Sequence, residues 1–75
     1  MATGSPTREW LEHWQDETDA AFLYRVLAAI ETDEKRNDIY RRLAAVEDKH
    51  SAVWAKILAD SGYQGPAPRP TARAR

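Results

Sequence analysis

From Thr7 to Ser61 the chain contains neither glycine nor proline. A stretch that long without a breaker, rich in alanine, leucine, glutamate and arginine, favours helix over every alternative. Punctuation falls at four places. Ser5-Pro6 reads as an N-cap followed by proline at the first helical position. Thr32-Asp33 offers a second N-cap with acids after it, and Gly62 is a natural C-terminal stop. Gly65-Pro66-Ala67-Pro68-Arg69-Pro70 cannot continue a helix. The pattern predicts an all-α fold: helices over about 6–31 and 33–61, antiparallel, joined by a tight turn. Residues 1–5 form a flexible N-terminus, 6–62 the helical hairpin, and 63–75 a basic proline-rich tail or linker, extended or disordered. No strand pattern competes.

Two helices make a small core. At 75 residues the chain is at most one domain, and chains of this size usually need disulfides, a metal or a partner. There is no cysteine, so disulfides and thiolate metal sites are excluded. A partner remains, or a metal held by oxygen and nitrogen. Residues 1–63 hold 8 Lys/Arg against 12 Asp/Glu, whereas residues 64–75 hold 3 arginines and no acid. An acidic body argues against nucleic acid as a partner, because phosphate contacts need a basic face. The longest apolar runs, Ala20–Tyr24 and Val26–Ile30, are far short of the ~20 residues a membrane span needs. Residues 1–20 lack the apolar region of a signal peptide, so the expected location is cytoplasmic.

Advancing about 100° per residue places Tyr40, Leu43, Val46, Val53, Trp54, Ile57 and Leu58 on one side of the second helix. His50 lies within that stripe and Glu47 towards its edge. On the first helix Glu17 shares its face with Trp10, Trp14, Ala20, Ala21, Tyr24, Leu27 and Ala28. A second stripe there holds Leu11, Phe22, Leu23, Val26 and Ile30. One helix cannot cover both stripes, which predicts contact with helices of another chain.

Glu17 and Glu47 are equally far from the turn centre near residue 32, so the hairpin sets them at one height, with His50 one turn further along. Two hairpins paired about a two-fold axis would bring two copies of each residue into one core. Four-helix carboxylate sites for two metal ions have that ligand set: a Glu from each of two helices and Glu-x-x-His from each of the others. Spacing of three places both side chains on one helix face. Carboxylate and imidazole together suit iron or manganese, and also zinc. Four buried glutamates are costly without compensation, and two divalent cations neutralise them. Taken singly, each residue has an ordinary explanation: a glutamate at the edge of an apolar face, a histidine hydrogen-bonded in a core. Tyr24 is either a group that hydrogen-bonds a ligand or a half-buried aromatic. Asp16 and Asp19 either pass cations inward or form a solvated face. His13, one turn before Glu17, is an extra ligand or an exposed side chain. The competing reading is a non-catalytic helical-hairpin dimerisation module whose polar residues set register.

The segments "DETDAAFLYRVLAAIE" and "RRLAAVEDKHSAVWAKIL" resemble the rubrerythrin-type branch of the ferritin-like superfamily over roughly residues 10–62. The matching residues are Glu17, Tyr24, Glu47-x-x-His50 and Trp54. Most members carry four helices in one chain, and this chain has two. It is similar in that respect to encapsulated ferritins, whose two-helix subunits build an iron site across a dimer interface and oxidise Fe(II) there. The resemblance implies Glu17, Glu47 and His50 as ferroxidase ligands to two iron ions per dimer site and Tyr24 as a supporting residue. It also implies Asp16 and Asp19 as groups along the cation's approach. As partners it implies a homodimer or a higher oligomer of dimers, inside an encapsulin shell. The tail "PAPRPTARAR" resembles the linker that follows the rubrerythrin-like domain of some vacuolar iron transporter-family proteins, ahead of a membrane iron-transport domain.

Overall fold

The computed structural model describes residues 7–71. It is an antiparallel pair of helices, α1 (Thr7–Ile30) and α2 (Glu34–Asp60), packed along their length, with no strand among the described residues. Both helices end within a residue or so of where the punctuation puts them. The proposed Ser5-Pro6 start lies outside the described residues.

The turn is built from side chains that replace missing backbone partners. Asp33 caps α2: its extended backbone precedes the helix and its carboxylate accepts from Arg36 N–H at 2.9 Å. The Glu31 carboxylate accepts from Asp33 N–H at 3.0 Å and pairs with Arg36 at 3.4 Å. Asn37 ties the two helices. Its side-chain amide donates to the Ala28 carbonyl and, at 3.4 Å, to the Glu31 carbonyl. The Ala28 carbonyl near the end of α1 and the Glu31 carbonyl just past it thus receive a donor from the first turn of α2.

At the other end α2 closes in a Schellman arrangement. Tyr63 N–H donates to the Leu58 carbonyl at 2.9 Å and Gly62 N–H to Ala59 at 3.1 Å. Gly62 takes φ 98° there, a left-handed conformation that costs glycine little and other residues more.

The contact between helices is made by small residues. Ala21, Ala28 and Ala44 are buried, and Leu58 is fully so. Alanines let the two backbones approach closely, so the line of contact is narrower than the apolar stripe that flanks it. Large apolar side chains stay outside: Leu23, Val26, Ile30, Ile39, Val46 and Val53 are all exposed. Two cross-helix polar contacts fix the pairing. Trp14 Nε1–H donates to Ser51 Oγ at 2.9 Å, and Arg25 pairs with Asp48.

After Tyr63 the chain has no regular structure, yet it does not leave the hairpin. Gln15 Nε2 donates to the Arg69 carbonyl at 2.7 Å. Asp19 accepts from Thr71 N–H at 2.9 Å and from Thr71 Oγ1 at 3.0 Å. The second stripe of α1 is therefore covered in part by the chain's own tail, where the sequence pointed to another chain: Phe22 is half-buried in a groove that Ala67, Pro68 and Pro70 help to line. Leu23, Val26 and Ile30 of that stripe remain exposed. No helix of the described residues is long and apolar enough to cross a membrane.

Candidate metal centre

Glu17, Glu47 and His50 meet at mid-length of the hairpin. The turn sets the first two at one height, and the (i, i+3) step on α2 brings His50 beside them. His50 Nδ1 stands 3.3 Å from Glu17 Oε2 and 3.3 Å from Glu47 Oε1. One ligand atom from each of the three lies within 4.8 Å of the others. Both carboxylates are largely shielded, with side chains 24% and 21% exposed, while the imidazole is 54% exposed. The cluster thus sits at the edge of the contact line and opens outward through His50.

Its electrostatics are unbalanced. A hydrogen bond with Glu17 is the main cause that raises the Glu47 carboxyl above its ordinary pKa; burial and the Glu17 charge add to it, and His50 offsets part of the rise. Glu47 therefore holds its proton more readily than an isolated glutamate would. Arg25, the cationic group of α1 nearest in sequence to the site, is engaged with Asp48. A site with two oxygen ligands, one nitrogen ligand and surplus negative charge fits a divalent cation chemically. Three ligands from one chain leave further coordination positions open.

The cluster opens onto an apolar surface. On α2, Ile39, Val46 and Val53 recur once per heptad, with Leu43, His50 and Ile57 interleaved, the spacing of a helix-packing seam. Val46 and Val53 are 44% and 56% exposed, and on α1 Leu23 is 47% exposed.

The remaining sequence candidates are placed less centrally. Tyr24 is half-buried and makes no hydrogen bond to the cluster among the described residues. Asp16 is exposed on α1. Asp19 lies about 160° around α1 from Glu17 at 100° per residue. There it accepts from Gln15 at 3.0 Å and from the tail. His13 stacks on Trp54, ring centroids 4.9 Å apart and planes 15° from parallel, which braces the helices one turn from His50. The sequence reading missed Ser51 and Thr71. Ser51 shares the inner face of α2 and could have been found by its height opposite Trp14. Thr71 had no local signal.

No protein-family model, curated protein or solved structure matches the chain.

Proposed function

We propose that the chain is an iron-binding, ferritin-like hairpin. In this reading Glu17, Glu47 and His50 hold Fe(II), a second copy completes a two-iron site, and the bound iron is oxidised by O₂. The observation that carries the reading is the convergence of two carboxylates and an imidazole, from two helices, within 4.8 Å. The open apolar seam beside them supports the dimer, because a surface of exposed valine, isoleucine and leucine next to an incomplete ligand set is shaped for a further pair of helices. Iron is the substrate here. Two Fe(II) ions supply the two electrons that, with two protons, take O₂ to hydrogen peroxide. The protein supplies geometry and charge compensation. The wider role is storage or transport of iron.

Anaerobic Fe(II) titration followed by sedimentation tests this directly. The expected result is a metal-driven rise in mass for the native chain, followed by ferric absorbance on admitting air. Both should vanish in Glu47→Ala and His50→Ala. Iron binding and oxidation that survive both substitutions would sink the assignment. Association that ignores both Fe(II) and chelator would instead identify a non-catalytic dimerisation module.

A further inference from the structure

The proline-rich tail has a defined seat. The Tyr63 ring meets Trp14 edge-on, centroids 6.3 Å apart and planes at 79°, and its hydroxyl donates to the Pro66 carbonyl at 3.0 Å. Residues 66–71 then run extended along α1. Ala67, Pro68 and Pro70 line a groove of about 450 Å³ together with Trp14, Thr18 and Phe22. Backbone groups of the tail are recognised individually: the Arg69 carbonyl by Gln15, the Thr71 amide by Asp19. Prolines and aromatic rings walling one groove, with side chains bonding the backbone of the proline-rich segment, are ingredients of polyproline recognition. Such a segment has little conformational freedom left to lose on docking.

The seat lies on the opposite long side of the hairpin from the metal cluster. Counting about 100° per residue from Glu17, Thr18 and Phe22 fall to one side of the helix contact, and Ala20, Leu23 and Leu27 to the other. On α2, Ser51 and Ala55 fall with the tail, and Val46, His50 and Val53 with the cluster.

We propose that the Trp14–Thr18–Phe22 surface of α1 is a docking site for the chain's own residues 66–71, and that their docking makes the hairpin one-sided. Without the tail, both long sides would offer apolar surface to another hairpin. With it, one side is closed within the chain and pairing is confined to the side that carries Glu17, Glu47 and His50. The assembly is held to a closed pair where two open sides would build chains of hairpins.

The test uses the full chain carrying Pro68→Asp and Pro70→Asp, in chelator, so that metal plays no part. Both changes lie outside the helices, and far-UV circular dichroism should show unchanged helix content. The Thr71 amide should exchange about tenfold faster once its bond to Asp19 is lost. Sedimentation should show a higher average mass than the native chain at the same concentration. A synthetic peptide of residues 63–75, added in excess, should bring that mass back down. Unchanged Thr71 exchange would overturn the docking, and faster exchange without a gain in mass would overturn its role in assembly. Neither outcome depends on whether iron binds.

Discussion

The two long sides of the hairpin start from similar material and end differently. Each has large apolar side chains beside a narrow alanine contact, and each has carboxylates set among them. On one side a proline-rich segment lines a groove together with Trp14 and Phe22, and the carboxylate there, Asp19, is occupied by Thr71. On the other, Leu23, Val46 and Val53 are exposed, and Glu17 and Glu47 meet with His50 beside them. A carboxylate on an apolar side can be settled in two ways: by donors from its own chain, or by a cation from outside. This molecule uses the first on one side; under the proposed function it uses the second on the other.

The largest disturbance should come from the contact both sides share. Leu58 is fully buried, and its carbonyl also receives Tyr63 N–H, the bond that starts the tail on its course. Leu58→Ala should cost about 2–5 kcal/mol, as truncation of a buried leucine does. Urea unfolding should show the loss, and the distinction between the sides should disappear with it. A cost below about 1 kcal/mol would mean that the helices are not held where Leu58 sits.

A substitution on the cluster side should separate the two sides cleanly. Raising the Glu47 pKa favours the protonated carboxyl in the folded state. The stability this contributes is present at low pH and is lost as pH rises through the raised value. Without metal, the native chain should therefore lose stability over that window, and Glu47→Gln should flatten the slope. With a divalent metal at a hundredfold excess over its dissociation constant, the native chain should gain about 2.7 kcal/mol. That gain should shrink as pH falls, because protons compete for Glu47, and should be largely lost in Glu47→Gln. Thr71 amide exchange, read on the same samples, should not move. Unfolding curves at several pH values, with and without metal, check the whole set. An identical pH slope in the variant would refute the raised pKa of Glu47.

The smallest effect belongs to the tail side. Ser51→Ala removes the acceptor of Trp14 Nε1–H, a bond worth about 1 kcal/mol. Trp14 should become more mobile and metal binding should persist. A Trp14 indole N–H that exchanges no faster in the variant would show that the bond does not hold the ring.

How much of this was legible in the sequence depended on the range of the interaction. Helix limits were readable because Asp33 and Gly62 act within a few residues of themselves. Glu17, Glu47 and His50 were readable because a helical hairpin turns sequence distance from the turn into height. The narrowness of the contact was less so: a helical wheel ranks Val46 and Val53 with Leu58, and only the close approach at Ala21, Ala28 and Ala44 decides which are covered. The tail was the hardest part. Its prolines say that it is extended, but nothing near Thr71 in sequence says that its partner is Asp19. For the same reason Asp19 read as a group that passes cations inward or as part of a solvated face.

The turn has a consequence that concerns length and not chemistry. Asp33 and Asn37 clamp the two helices at one point, and every cross-helix pairing is counted outward from there. Adding one residue between the clamp and the cluster, on one helix only, would shift Glu17 against Glu47 by about 1.5 Å and swing it by about 100°. Extra residues before Trp10 would shift nothing. The hairpin is a ruler with its zero at the turn: it tolerates growth at its open end and forbids it over the first half of either arm.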